Sequence, residues 1–514
     1  MNRREKCTIY ITGAGPGDPS LLTLKAKEVL EKSDVLVYDT LVSEEILEYI
    51  FSLNPNIKFI YVGKKPYEGD KSESQERIHD LLLELSKDYN KICRLKGGDP
   101  SVFGRVGEEA EFLKKHNINF EIIPGISSVL GASAYAGIPL THREVSSSFT
   151  VLTAHEDPDC TDCSIDWGNI NLRNHTLVIL MGTKNLPKIV DILLSNGENP
   201  NTPLAIIFRG TTPEQKTIIS TLGEFNKKIS EDSLHPPSLI IIGDVVSYKK
   251  EMNWFEKFPL IGKKILITRS KDQSFEFSKK LSSLGAKPIA MPIVSYEFNK
   301  DEIYNKQILQ NLKDFEWIFF TSQNAVKFFF EVLEKNLLDS RALDKINIAC
   351  VGDRTKLELK KYNINPDFTP KKFSTESLIN ELSEKEDLKT AKILYPTQKG
   401  NLRKTELQNI VYWEIYKSNF IDTLGENLIS KINSGLDVMT FFSAKTCEQF
   451  YSLLKQHNLL GQIKSSKIAV IGDETAKSAN ALFGKVDIIA EPFTEDGLIN
   501  SIQNCYSQVP SCKP

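Results

Sequence analysis

The chain has 514 residues, 40% of them apolar, 25% charged and 9% aromatic, with a formal net charge of −3. At roughly 150 residues per domain that length predicts three to four domains, each able to bury a core. A faintly acidic chain lacks the basic surface that general nucleic-acid binding requires, and no run of about 18 apolar residues is present to span a membrane.

Arg3, Arg4 and Lys6 open the chain, but the apolar run behind them is too short for a signal peptide. Residues 7–12 read as a strand running into a glycine loop, Gly13-Ala14-Gly15-Pro16-Gly17-Asp18. Helical spacing over 21–32 puts Leu21, Leu24 and Val29 on one apolar face. Strands are predicted at 34–38, 59–62, 91–95 and 120–123, and helices at 74–88 and 107–116. A second set of strands is predicted at 149–153, 176–180, 203–208 and 238–242. Strands alternating with helices are the mark of α/β layers. Two sub-domains are therefore predicted, 7–123 and 124–252, then a linker at 253–262 that ends on Pro259 and Gly262.

Eight cysteines scattered over so long a chain read as reduced, cytoplasmic thiols rather than a disulfide framework. The close pair Cys160 and Cys163, with His155 upstream, supplies three local ligands where a structural zinc site wants four. It reads as a surface loop, and no metal is expected.

The second half repeats itself. Ala349-Cys350-Val351-Gly352-Asp353 returns 120 positions on as Ala469-Val470-Ile471-Gly472-Asp473, and the segment from Phe373 to Ile379 returns from Phe493 to Ile499 at the same offset. Phe320-Thr321-Ser322 has its echo in Phe441-Phe442-Ser443. Matches at a nearly constant offset predict two similar α/β lobes with a cleft between them, and the period is too long for a solenoid.

A strand followed by Gly13 and Gly15 invites a dinucleotide reading, which the details oppose. The fingerprint needs glycine where Asp18 stands, and Pro16 has no N–H to give a pyrophosphate. An acid in the loop suits a neutral or cationic ligand better. A second glycine loop, Arg94-Leu95-Lys96-Gly97-Gly98-Asp99-Pro100, follows another strand, at the strand end where open α/β sheets place ligands. Pro124-Gly125-Ile126-Ser127-Ser128 and Gly137-Ile138-Pro139-Leu140-Thr141-His142-Arg143 come next.

In this order, and together with Tyr38-Asp39, Val62-Gly63-Lys64, Met181-Gly182 and the run Gly210 to Gln215, these segments resemble the uroporphyrinogen III C-methyltransferases of the tetrapyrrole methylase family, over roughly 8–246. The resemblance implies a two-sub-domain α/β fold, S-adenosyl-L-methionine as cofactor, and a homodimer formed through this half. It implies a cofactor pocket of Pro16, Gly97, Gly98, Asp99, Val102, Ser127, Ser128, Met181 and Gly210, with Asp39 as proton acceptor and Lys64 as proton donor. The substrate would carry eight carboxylates, for which Arg94, Lys96, Arg105 and Arg143 are candidate anchors, arginine being suited to bidentate pairing. Thr40, Val106 and Arg209 stand where the family commonly has Arg, Gly and Asn, which leaves the details of substrate grip open.

From about 262 to 502 the chain resembles the uroporphyrinogen III synthases, through Lys264-Ile265-Leu266-Ile267-Thr268-Arg269, the run from Phe319 to Val326, Gly400 to Arg403, Ile415-Tyr416 and Ile471 to Ala476. The resemblance implies one lobe of 263–297 with 417–514 and another of 298–416, and no cofactor. Thr321, Ser322, Ser443 and Thr475 would grip substrate carboxylates, and Tyr416 would help hydroxide leave. Thr321 and Ser443 also suit helix N-caps. Two readings stay open for this half: a cyclising synthase, or a tetrapyrrole-binding module without catalysis. A methyltransferase acting on protein or RNA would need a basic face, which the net charge disfavours.

Overall fold

A computed structural model describes residues 7–63, 75–156, 158, 164–230, 234–299, 301–402 and 407–507. Lys64, Cys160, Cys163 and Arg403 lie outside the described residues. The chain divides into two compact units, 1–263 with 281–287, and 264–280 with 288–514.

The first unit opens with β1 (Thr8–Gly13), β2 (Val35–Tyr38), β3 (Lys58–Tyr61), β4 (Lys91–Lys96) and β5 (Asn119–Ile123), all parallel, in the order β3-β2-β4-β1-β5. The central strands β2, β4 and β1 are almost wholly buried, because helices cover both faces of such a sheet, and β4 carries Arg94 and Lys96 into that interior. Leu36, Cys93 and Leu95 pack with Ile46 and Ile50 on one side, while Ile9, Val37 and Ile92 pack with Leu82 and Leu113 on the other. Since β1 lies between β4 and β5, the loops after these three strands emerge side by side at the carboxyl edge of the sheet.

The helix predicted over 21–32 is two elements, a 3-10 turn Pro19–Leu21 and a helix Leu24–Lys32. Thr23 caps the second through Ala26 N at 3.1 Å, and this restart changes the buried face. Leu24 stands 88% exposed at the first helical position, and Ala26, Val29 and Leu30 are buried instead.

The second layer holds β6 (Ser148–Thr153), β7 (His175–Leu180), β8 (Pro203–Phe208), β9 (Lys216–Thr221) and β10 (Ser238–Ile242), in the order β6-β7-β10-β8-β9. Only β6 and β7 pair in parallel. β9 was not expected, since Lys216-Thr217-Ile218-Ile219-Ser220-Thr221 is a half-polar run. Its place at the sheet edge accounts for that composition. The segment read as a linker, 253–262, is instead packed into this unit. Trp254 Nε1 donates to Ala134 O at 3.0 Å, and Phe255 is buried against Tyr135 at 4.7 Å between ring centroids. Its aromatic residues cover helix Ser128–Ala136, a burial that no pattern of Pro and Gly announces.

The second unit has β11 (Lys264–Ile267), β12 (Lys287–Ala290), β13 (Val294–Phe298), β14 (Trp317–Phe320), β15 (Asn347–Cys350), β16 (Ile393–Gln398), β17 (Ile410–Phe420), β18 (Val438–Phe441), β19 (Lys467–Val470) and β20 (Ile488–Ile489). They form two sheets, β12-β11-β18-β19-β20 and β13-β17-β16-β14-β15. The lobe boundaries expected at 297/298 and 416/417 fall inside β13 and β17. Those strands pair with each other from Val294 opposite Phe420 to Phe298 opposite Tyr416, so both belong whole to the second lobe. The chain changes lobe at 291–293 and again after Phe420.

The internal repeat has a physical counterpart. Asp367 Oδ2 accepts from Ile348 N at 2.7 Å, and 120 positions on Asp487 Oδ2 accepts from Ile468 N at 2.8 Å. Gly352 lies against Phe373, and Gly472 against Phe493, each leaving about the width of an ordinary contact for a Cβ. Among the described residues no helix is long and apolar enough to cross a membrane.

Candidate active sites

Three glycine loops meet at the carboxyl edge of the first sheet. Gly15 and Gly98 exchange backbone hydrogen bonds at 3.1 and 2.8 Å, and a Cβ on Gly13 would lie 2.6 Å from Gly125 Cα. A Cβ on Gly125 would lie 2.3 Å from Gly98 O. Only bare backbone lets these strands' loops approach so closely. Asp99 ties the set together, its Oδ1 accepting from Ser101 N at 2.7 Å and its Oδ2 from Gly125 N at 3.0 Å. Ser127 caps helix Ser128–Ala136 beside Gly98.

Loops of the second layer close on the same place. A Cβ on Gly17 would meet Thr212 and Gly210 O, Asp18 N donates to Thr211 Oγ1 at 3.1 Å, and Gly210 lies against Ala132. Pro16 lies against Gly131 of the same helix. Asp18 itself, the acid that argued against a dinucleotide, accepts from Ser20 and from Tyr135 Oη at 2.8 Å. Burial and the neighbouring Asp18 carboxylate push the Tyr135 phenol well above its ordinary range.

Five non-glycine residues at these loop ends have positive φ: Phe103, Arg105, Met181, Arg209 and Thr211. Such strain persists where the surrounding structure fixes it, and it clusters at ligand sites. Phe103, Met181 and Val102 are exposed apolar side chains, 46%, 55% and 38% accessible. A floor of bare glycine backbone allows the close approach of an uncharged ligand portion.

Asp39 follows β2 and is a quarter exposed. Its Oδ1 accepts from Leu41 N at 3.1 Å, and its Oδ2 accepts from Arg94 Nη2 at 3.0 Å. Arg94 and Lys96 do not reach out as carboxylate anchors. They occupy alternate positions of buried β4 and point to the same face, where both meet the fully buried Glu109. Of the expected anchors, Arg105 and Arg143 stay exposed, Arg105 paired with Glu108 at 2.8 Å. Glu109 was missed in the sequence. The available signal was two basic residues two apart at the end of a strand of an α/β sheet, a place where burial would require an acid to meet them.

In the second unit, Tyr416 Oη and Ser322 Oγ lie 3.3 Å apart, and Tyr416 stacks on Phe328 at 5.3 Å. Burial raises the Tyr416 phenol above its ordinary range, and the Ser322 hydroxyl partly opposes that. Ser322, not Thr321, caps helix Gln323–Lys335, through Ala325 N at 3.1 Å. Thr321 accepts instead from Tyr395 Oη at 3.1 Å. Ser443 caps helix Ala444–Gln456 through Thr446 N at 3.2 Å, and Thr475 is buried in helix Asp473–Phe483. Glu495 pairs with both Arg269 and Arg354. Thus Ser322 and Tyr416 come together, while Ser443 and Thr475 serve local packing and capping. Among the described residues no cluster of His, Cys, Asp and Glu could hold a metal.

Residues 8–226 match the family model of Tetrapyrrole (Corrin/Porphyrin) Methylases, and 276–500 that of Uroporphyrinogen-III synthase HemD. The chain is 34% identical to the porphyrin biosynthesis protein HemD of Ruminiclostridium josui, covering 96% of this chain and 97% of that one. It is 45% identical to the uroporphyrinogen-III C-methyltransferase of Methanocaldococcus jannaschii, over 46% of this chain and 96% of that one. It is 42% identical to an S-adenosyl-L-methionine-dependent uroporphyrinogen III methyltransferase of Methanosarcina barkeri, over 46% and 91%.

Proposed function

The chain belongs to the tetrapyrrole methylases through its first half and to the uroporphyrinogen-III synthases through its second, and on that premise we propose that it closes hydroxymethylbilane to uroporphyrinogen III and then methylates that product twice to give precorrin-2. The observation that carries the methyltransferase reading is the meeting of the loops at Gly13, Gly98 and Gly125 beside an Asp39 carboxylate held by Arg94.

S-adenosyl-L-methionine supplies an electrophilic methyl group on a sulfonium. Pro16, Gly97, Gly98, Asp99, Val102, Ser127, Ser128, Met181 and Gly210 hold it, the glycines by close backbone approach. Arg105 and Arg143 face solvent and meet substrate carboxylates. Bound in that pocket, the cofactor would offer its methyl carbon to an electron-rich pyrrole carbon, the electrons of the sulfur–carbon bond staying on sulfur. Asp39 accepts the one proton that the methylated ring then loses, and Lys64, the donor implied by the resemblance, returns a proton to a ring carbon only where tautomerisation has taken another off. Most of the rate comes from positioning, with general acid–base help worth ~10²–10⁴-fold.

In the second unit Tyr416, held neutral by burial and beside Ser322, gives the proton that lets hydroxide leave as water. Ring closure with inversion of the last ring follows from the way the cleft folds the chain of pyrroles, and needs no cofactor. A homodimer through the first half and a cytoplasmic location rest on the resemblance and the reduced cysteines.

Incubation with hydroxymethylbilane and S-adenosyl-L-methionine tests both activities at once. The expected products are the type III isomer and its dimethylated derivative, with Asp39→Ala sparing cyclisation and cutting methylation at least ~10²-fold. Recovery of only the spontaneous type I isomer would leave the second half a binding module.

A further inference from the structure

Beneath Asp39 lies a knot of charge that the proposed chemistry does not use. Glu109, in the first turn of helix Val106–Lys115, has no exposed surface. Its Oε1 accepts from Lys96 Nζ at 2.6 Å and from Gln75 Nε2 at 3.0 Å, and lies 3.5 Å from Arg94 Nε. Arg94, also buried, spends the other edge of its guanidinium on Asp39 Oδ2 at 3.0 Å and on Leu95 O at 3.0 Å. Two cations and two carboxylates thus alternate as Asp39, Arg94, Glu109, Lys96, and only Asp39 is open to solvent.

We infer that Glu109 is a positioning residue for methyl transfer: it fixes Arg94 from behind and offsets Lys96, so that Asp39 remains a competent proton acceptor. The inference rests on Asp39 having that role. Without Glu109, Asp39 would face the two buried cations Arg94 and Lys96 with no second carboxylate to offset them, and a proton arriving there would meet their repulsion. Burial and Arg94 push the Lys96 amine down, and Glu109 pulls it back toward the charged form. Among the described residues the other ionisable groups around the knot include Glu108, paired with Arg105, His79, within reach of Gln75, and Tyr61, which meets Thr40.

The test is the pH dependence of methylation in the full chain. Glu109→Gln should move the acid limb of kcat down by about one pH unit, the size of one charge acting across a partly buried site, and lower kcat about tenfold with KM unchanged. Lys96→Met should move the limb the other way, and the double variant should bring it back. A role in folding alone predicts no such opposition of sign. Asp39→Asn run beside them checks the premise, since wild-type methylation in that variant would remove Asp39 as acceptor. If Asp39→Asn is impaired while folded Glu109→Gln or Lys96→Met keeps the wild-type limb, the inference is overturned.

Discussion

Gly125 has its amide N–H on Asp99 Oδ2 at 3.0 Å and its Cα against Gly13, so a side chain there has nowhere to go. A methyl group would stand 2.3 Å from Gly98 O and 2.8 Å from Gly13 Cα, both backbone atoms that cannot swing aside. Gly125→Ala should therefore part the three loops, costing ~1–3 kcal/mol of stability as overpacking does. It should also weaken binding of S-adenosylhomocysteine at least tenfold, as read by calorimetry. Unchanged affinity in a folded Gly125→Ala protein would move the cofactor site elsewhere. At this scale the sequence was readable where a residue type has few uses, as with these glycines. It was less so for Asp99 and Arg94, whose types suit either a ligand or a buried partner. Choosing between those needs the register that sets Arg94 beside Asp39 and Glu109.

The two capping serines separate a local role from a site role. Ser322 and Ser443 begin equivalent helices, Gln323–Lys335 and Ala444–Gln456, and each accepts from an amide three residues on. Ser322→Ala and Ser443→Ala should each cost ~1 kcal/mol in denaturant unfolding, the usual worth of a cap. Only Ser322 also meets Tyr416, so only Ser322→Ala should slow cyclisation, by about tenfold for the loss of one hydrogen bond, and Ser322→Thr should restore it. Because burial raises the Tyr416 phenol, it stays protonated well above neutrality, and cyclisation should hold steady from about pH 7 to 9. Equal effects of both substitutions on cyclisation would reduce Ser322 to a cap. Elements of this kind were legible as repeated strings, since a strand, a hydroxyl and a helix recur near 120 positions on. The edge strand β9 was not, because its half-polar run hides it even though its partner β8 is the strand just before it, and the packed 253–262 segment was not, because the helix it covers, Ser128–Ala136, lies far off in sequence.

Each unit carries its own cores. Val178, Ile207 and Ile241 pack with Val129 and Ala132 in the first, while Phe320, Phe329 and Trp413 form one centre of the second, and Phe441 with Phe450 another. Cooperativity follows shared burial, so units with separate cores should melt as separate transitions. A ligand that binds one native unit stabilises that unit alone, by about 2.7 kcal/mol at a concentration a hundredfold above its Kd. S-adenosylhomocysteine should thus raise the transition of the first unit in a calorimetric scan and leave the second where it was. Asp39→Ala should keep this shift, since the carboxylate bonds to Leu41 N and Arg94 rather than to the glycine loops. Gly125→Ala should lose it. A single transition that moves as a whole with ligand would mean that the two units unfold as one, and that a change in the methyltransferase pocket is felt by the synthase cleft. Two transitions, one of them responsive, would show that fusion joins two independently stable catalysts whose order of action is set by chemistry: the macrocycle must close before its pyrrole carbons can be methylated.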